Sequence, residues 1–389
     1  MVVQERSLEG LAVNARFWTG KRVLLTGHTG FKGSWLSVWL QKMGATVAGY
    51  ALPPAPGESL FNLASVAEKM FESVYADIRD LTPLTDTIDR FRPEIVFHLA
   101  AQSLVRMSYL DPLHTYQVNV MGTVNLLEAV RNSKSCRVVV VVTSDKCYEN
   151  SEWAWAYRES DPLGGHDPYS SSKGCAELVT AAYRRSFFEA SDAMASAIAT
   201  ARAGNVIGGG DFSKDRLVPD LMAAALKGEP LRVRSPHAVR PWQHVLEPLC
   251  GYLLLSEKLW GNPERYAQSW NFGPHQDDAR SVRWLVDRLS GFWGARVHWE
   301  VDAQPSPHEA HFLTLDSAKA RSMLGWKPRW TLERALQEVV EWYKAYEKRE
   351  PIRDVVMQQI ASYESTISGG EIDTYLNESP TDSPRIAAP

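Results

Sequence analysis

Cysteine is scarce in this sequence. The 389 residues hold four, Cys136, Cys147, Cys175 and Cys250, and no two stand as C-x-x-C. That spacing builds neither a metal knuckle nor a disulfide framework; it fits reduced thiols in a cytoplasmic protein. No run reaches the about 18 uninterrupted apolar residues of a membrane span. Residues 1–15 mix acids and bases and lack the apolar stretch of a secretory signal. An excess of basic charge is missing too: 42 Lys and Arg stand against 46 Asp and Glu, a formal net charge of −4. The footprint of a nucleic-acid binder is therefore absent, although a local basic pocket for an anionic small molecule remains open. No internal repeat is visible. The expectation is a soluble, cytoplasmic protein without a metal and with no membrane or nucleic-acid partner.

What is present is ordinary globular material, 44% hydrophobic and 23% charged, long enough for two or three lobes. Arg22-Val23-Leu24-Leu25-Thr26 is a short apolar run bounded by glycine and reads as a buried strand. An apolar helix pattern follows from Ser34, and Ala45-Thr46-Val47-Ala48-Gly49-Tyr50 reads as the next strand. Together they make a βαβ unit of about 30 residues. Further strands are expected at Ser73-Val74-Tyr75, at Glu94-Ile95-Val96-Phe97-His98-Leu99 and over residues 137–143, the last after a helix over 115–132. Strands alternating with helices predict an α/β fold, a Rossmann-type doubly wound parallel sheet. After about Ala203 glycine, proline and tryptophan become frequent, at Trp242, Trp260, Trp270, Trp284, Trp293 and Trp299 among others. This half reads as a smaller C-terminal substrate-binding lobe, with some segments returning to the sheet. The expected division is an arm over 1–16, a dinucleotide-binding domain over 17–204, the second lobe over 205–350 and an extension over 351–389. An amphipathic helix is expected over 331–348, and the polar stretch 368–389 reads as disordered.

Gly27-His28-Thr29-Gly30-Phe31-Lys32-Gly33 lies between the first strand and the first helix. Glycines there let the backbone approach a pyrophosphate, and the helix N-terminus offers unpaired N–H groups. The acid that commonly ends the second strand of such a unit is missing, since the chain runs Gly49-Tyr50-Ala51-Leu52. The choice between NAD and NADP is therefore not fixed by this motif. Asp77, followed by Ile78, either meets the adenine or caps a helix near Arg79.

Tyr169 and Lys173 stand four apart, so on a helix they share one face. An ammonium beside a phenol favours the phenolate and lowers its pKa, which suits a phenol to take a hydroxyl proton as hydride leaves carbon. The strand over 137–143 ends in Ser144-Asp145-Lys146, at the carboxyl edge where α/β sheets bind ligands. Ser144 suits a substrate hydroxyl, and the adjacent acid and base suggest a second proton transfer beyond oxidation.

These motifs carry a resemblance. Gly27 to Leu36, His98-Leu99-Ala100-Ala101-Gln102, Ser144-Asp145-Lys146, Pro168-Tyr169 to Lys173, Arg202 to Asp211 and Arg240-Pro241-Trp242-Gln243-His244-Val245 are similar to the extended short-chain dehydrogenase/reductase superfamily. Within it the chain closely resembles the CDP-glucose 4,6-dehydratase family, over about residues 17–346. The resemblance implies NAD as cofactor, CDP-glucose as substrate, and a cycle of C4 oxidation, loss of water across C5 and C6, and hydride return to C6. It implies catalytic roles for Ser144, Asp145, Lys146, Tyr169 and Lys173. It implies cofactor contacts from Gly27, Thr29, Gly30, Phe31, Lys32, Gly33, Asp77, Ile78, Ala100, Gln102, Tyr169 and Lys173, and substrate contacts from Ser144, Asn205, Arg216, Arg240 and Gln243. His244 is either a site residue or a packing residue. Ser144-Asp145-Lys146 departs from the Thr-Asp-Glu of dTDP-glucose dehydratases, which leaves the C5 base as Lys146 or a water that it positions. Ser103 stands where this branch has proline. The resemblance also implies a homodimer through helices around 105–130 and 170–188; the Ala/Leu/Val stripe of 124–130 either serves that interface or faces the sheet. The rival readings are a nucleotide-sugar 4-epimerase, which needs no acid–base pair for dehydration, and a non-catalytic NAD-sensing module.

Overall fold

The computed structural model describes residues 13–188, 196–294, 297–302 and 312–368. Five strands lie where the apolar runs predict them: β1 (Arg22–Thr26), β2 (Thr46–Ala51), β3 (Glu72–Tyr75), β4 (Ile95–His98) and β5 (Val138–Val142). Two more complete the sheet, β6 (Ala197–Arg202) and β7 (Ser269–Asn271). The order across the sheet is β7-β6-β5-β4-β1-β2-β3, and every pairing is parallel. A parallel sheet covered on both faces needs apolar residues on both sides of each strand. The five valines of β5 answer that need, for all are buried. The strand order reverses at β1, between β2 and β4, and this switch opens a crevice at the carboxyl ends of the strands.

Helices close both faces. On one side α1 (Phe31–Lys42) joins a large core with Trp18, Trp35, Trp39, Trp270, Trp326 and Trp342. On the other, α2 (Leu81–Phe91) and α3 (Gly122–Asn132) enclose a second core. The helix expected over 115–132 runs through Pro112–Tyr116 and a π turn at Gln117–Met121 into α3. Its stripe of Leu126, Leu127, Ala129 and Val130 is buried against β4 and β5, so these residues face the sheet. The exposed apolar side chains lie elsewhere, at Met107, Leu110, Leu113 and Met121, and at Leu178 and Phe187 near the end of the next long helix.

That helix, α4 (Pro168–Tyr183), starts on strong local signals. Asp167 caps it, accepting from Ser170 N at 2.9 Å, and Pro168 takes the first position, where no N–H is needed. Beyond β6 the chain makes short ladders. Val206–Ile207 pairs with Gln243–His244, Leu231–Val233 with Trp299–Val301, and Val239–Pro241 with Ala279–Ser281. The long helices α5 (Leu246–Gly261) and α6 (Leu332–Glu347) back these segments onto the sheet. The stretch beyond 350 opens with a helix, α7 (Ile352–Ser368), which packs on α1 and α6. The tail read as disordered lies outside the described residues beyond Ser368.

Candidate active site

The turn after β1 leads into α1 through Gly30, which caps the helix without a side-chain hydrogen bond. The first N–H groups of α1 are thus available to an anion. A Cβ at Gly33 would lie 2.2 Å from the Gly27 carbonyl oxygen, so only glycine lets this turn close onto the helix. The turn opens on a cleft of about 570 Å³, within the roughly 300–1,000 Å³ of small-molecule sites. Along it lie Gly27, Thr29, Gly30, Phe31, Lys32 and Gly33 from the turn, Asp77 and Ile78 after β3, and Ala100 after β4. Uncapped N–H groups beside a backbone cradle fit the pyrophosphate of a dinucleotide. Burial, with Arg216 and Lys173 nearby, pushes Lys32 down to about 8.

At the end of β5, Ser144 turns the chain into a short helical turn, Asp145–Cys147, by accepting from Lys146 N at 3.2 Å. The turn brings Ser144, Asp145 and Lys146 to the same cleft as Tyr169 and Lys173 of α4. Ser144 Oγ donates to Asp145 Oδ1 at 2.9 Å. The other carboxylate oxygen of Asp145 is buried without a hydrogen-bond partner and lies over Gly204. Lys173 Nζ donates to the Val142 carbonyl at 3.4 Å.

The electrostatics depart from the reading of the Tyr–Lys pair. Burial pushes the Tyr169 phenol up to about 12, against the pull of a Ser144 hydrogen bond and of Arg216, while Lys173 is not among the groups that lower it. Burial also pushes Lys173 down to about 8, opposed by Glu177. Desolvation is thus the largest influence on both groups.

Asn205, Arg216 and Arg240 line the other half of the cleft. Asn205 is left-handed, with φ 44°, which asparagine tolerates better than most residues. Arg216 bridges the two halves, donating to Asp211 Oδ2 at 3.2 Å and to Ser103 Oγ at 3.0 Å. Ser103, unexpected in the sequence, therefore has a partner. Three expectations are corrected or narrowed. The Gln102 side chain is taken up by Leu104 N, Leu104 O and Thr115 Oγ1, and does not line the cleft. Gln243 is buried beneath it, donating to Phe272 O at 2.8 Å. Asp77 lines the cleft but is paired with Arg79 at 2.7 Å, and the hydrogen bonds from Arg79 hold its carboxyl below the usual range. His244 packs between Trp35 and Trp330. Asp211, at the end of one motif, lines the site, as do residues that no motif announced, among them Arg106, Asp220 and Arg234. Isolated arginines and aspartates carry no spacing signal.

A profile described as GDP-mannose 4,6 dehydratase matches residues 24–339. The chain belongs to that family. It is 49% identical to a CDP-glucose 4,6-dehydratase of Salmonella typhimurium, over 91% of this chain and 99% of the relative. A UDP-glucose 4-epimerase of Mycolicibacterium smegmatis is 31% identical over 83% of this chain and 98% of that one. Among solved structures, the dTDP-glucose 4,6-dehydratase of Bacillus anthracis in complex with NAD superposes with a TM-score of 0.71 at 23% identity, covering 86% of this chain and 100% of that one. The chain thus shares its fold with that dehydratase. Among the described residues no helix is long and apolar enough to cross a membrane, and no cluster of His, Cys, Asp and Glu suits a metal ion.

Proposed function

We propose that this chain catalyses the NAD-dependent dehydration of CDP-glucose to CDP-4-keto-6-deoxy-glucose, as a hydro-lyase. One observation carries the reading: an acid and a base, Asp145 and Lys146, share a cleft with Ser144, Tyr169 and Lys173. Oxidation alone needs the last three, and the extra pair suits removal of water. The Salmonella relative supports cytosine as the base and dehydration as the outcome.

In this scheme Tyr169 accepts the proton of the sugar 4-hydroxyl, and Ser144 orients that hydroxyl. When bound, NAD would supply the hydride acceptor for C4, the hydride for C6 and a positive charge of the kind the buried phenol lacks. The ketone at C4 acidifies the C5–H, which Lys146 or a water it positions removes. Asp145 protonates the departing 6-hydroxyl, and water leaves; as C6 gains its hydride, C5 takes back a proton from Lys146 or its water, and the proton taken up at Tyr169 makes good the one lost from Asp145. The cofactor ends each cycle as it began, so it stays bound through turnover. Arg216, Arg240 and Asn205 are the residues for the sugar-nucleotide half, arginine suiting a diphosphate through its planar fork. Residues 17–204 serve the cofactor in this scheme and 205–350 mainly the sugar nucleotide, with 1–16 and 351–389 flanking them.

The reading includes a cytoplasmic homodimer. Support for the dimer comes from the exposed apolar side chains Met107, Leu110, Leu113, Leu178 and Phe187, gathered on neighbouring helices. A 4-epimerase is the second reading, favoured by the M. smegmatis relative. The purified protein, incubated with CDP-glucose and separately with dTDP-, UDP- and GDP-sugars without added cofactor, distinguishes them. Loss of water from the CDP sugar, read by mass and by 4-keto absorbance in alkali, is the expected result. An epimer of unchanged mass, or turnover of another nucleotide sugar alone, overturns the reaction or the substrate respectively.

A further inference from the structure

One helical turn beyond Lys173, the same face of α4 carries Glu177, buried beneath the floor of the cleft. The two side chains hold consecutive residues at the end of β5. Lys173 donates to the Val142 carbonyl, and Glu177 Oε1 accepts from Thr143 Oγ1 at 2.5 Å. The other carboxylate oxygen accepts from Thr200 Oγ1 at 2.6 Å, Arg202 Nη2 at 2.8 Å and Ser269 Oγ at 3.2 Å. Strands β5, β6 and β7 thus each give a donor to one carboxylate, next to the turn that carries Ser144 and Asp145. Arg202 is fixed in turn, donating to Tyr148 Oη at 2.7 Å, and Tyr148 donates to Asn271 Oδ1 at 2.7 Å. Removing both charges from water is costly, and an ion pair needs only two partners. Here the carboxylate gathers four, from β6, from β7 and from the residue that follows β5.

We infer that Glu177 is a positioning residue for the proposed reaction: it braces Thr143 beneath Ser144 and Asp145, and it sets a fixed negative charge one turn from the ammonium of Lys173. This rests on the dehydratase reading above for its catalytic consequence, not for its electrostatic one. Burial drives Glu177 up, but Arg202 and the hydroxyl donors win and hold it below the usual carboxylate range, so it is ionised wherever the enzyme works. Lys173, driven down to about 8 by burial, is raised by Glu177 and then by Cys147. The other titratable groups that interact with Lys173 are Lys32 and His98, and neither supplies negative charge. Glu177 is therefore the permanent anion that Lys173 faces.

The test separates charge from brace. Glu177→Gln leaves Arg202 buried and unpaired and risks the fold, so the decisive variant is Glu177→Gln with Arg202→Met, which removes both charges. Thr143→Val removes the brace and keeps the charge. The first readout needs no substrate: competitive acylation of Lys173 across pH, followed by mass spectrometry of its peptide. The double variant is expected to shift the midpoint of Lys173 reactivity down by about half a pH unit or more, less than the shift of about one unit or more for losing a nearby opposite charge alone, because the Arg202 cation goes with it. The alkaline limb of C4 oxidation should move with it, and activity should recover toward lower pH. Thr143→Val should slow turnover several-fold with the limb unmoved. An unchanged labelling midpoint, or a rate that falls evenly at every pH, overturns the inference and leaves Glu177 as a core ion pair. If the wild-type chain dehydrates no nucleotide sugar but the labelling midpoint still shifts, the dehydratase reading fails while the charge on Lys173 stands.

Discussion

Gly204→Ala tests the placement of the proposed acid, Asp145, without replacing it. A Cβ at Gly204 would lie 1.8 Å from Asp145 Oδ2 and 2.1 Å from its Cγ. Real contacts of this kind keep at least 3.0 Å, so the carboxyl group must retreat by more than an ångström. It has little room, being buried and tied to Ser144 Oγ at 2.9 Å. The three atoms nearest the new methyl group all belong to Asp145, and none to Tyr169 or Lys173. A displacement of about 1 Å costs roughly a hundredfold in rate, or about 2.7 kcal/mol of barrier. The expected phenotype is therefore divided. Dehydration falls about a hundredfold, whereas C4 oxidation continues and reduced nicotinamide accumulates on the enzyme. Stopped-flow absorbance for the cofactor and mass spectrometry for the product read the two steps, and a thermal melt checks the fold. Turnover within a few-fold of wild type, with no build-up of reduced cofactor, would refute the assignment of Asp145 as the acid over Gly204. Equal loss of both steps would mean that the whole strand end had moved.

Direct substitutions make the complementary case. Tyr169→Phe should lose about a hundredfold or more in C4 oxidation and every later step with it, whereas Asp145→Asn should oxidise C4 slowly and hold reduced cofactor; normal turnover by either removes its role. Glu247 gives a pH-dependent prediction: burial pushes it up to about 7 from 4.5, while Arg329 N, Trp330 N and Tyr363 Oη donate to it. Because its folded value lies above the unfolded one, its contribution is intact below about 4.5 and is lost as pH rises through about 7, a span worth about 3 kcal/mol. Glu247→Gln keeps the acceptor for the two backbone donors and should raise the melting temperature at about pH 8 while flattening that dependence; a less stable variant at that pH contradicts it. Leu110→Glu with Leu113→Glu should yield a monomer by light scattering, and a dimer of unchanged mass would locate the interface on another face.

Much of this was legible in the sequence where one residue type answers one physical demand. β1, β4 and β5 are buried on both sides and so are written as unbroken apolar runs. The glycine turn and the Tyr169–Lys173 spacing are local geometry, and both reach the cleft. The short ladders of the second half were not legible, since two or three residues between prolines and glycines show no period. Gln102 carries a side chain suited to a ligand, but backbone groups and a threonine claim it first, while Gln243 gives its amide N–H to Phe272 O and is held by burial off the cleft lining, its Oε1 without a partner. The elevated phenol of Tyr169 was hidden for another reason: desolvation depends on what surrounds a group in space, and its neighbours along the chain do not report it.

The docking of α7 bears on how the cleft is supported. Trp39 Nε1 of α1 donates to Glu364 at 2.8 Å, Lys42 pairs with the same carboxylate, and Arg353 donates to Gln41 at 2.8 Å. The ring of Trp39 also meets Tyr363 edge-on, with centroids 5.8 Å apart. The helix whose first turn faces the cleft is thus clamped at its far end by a segment more than 300 residues away in the chain. Cutting out residues 352–368 would uncover that tryptophan and loosen the glycine turn from behind, although every residue of the turn remains in place.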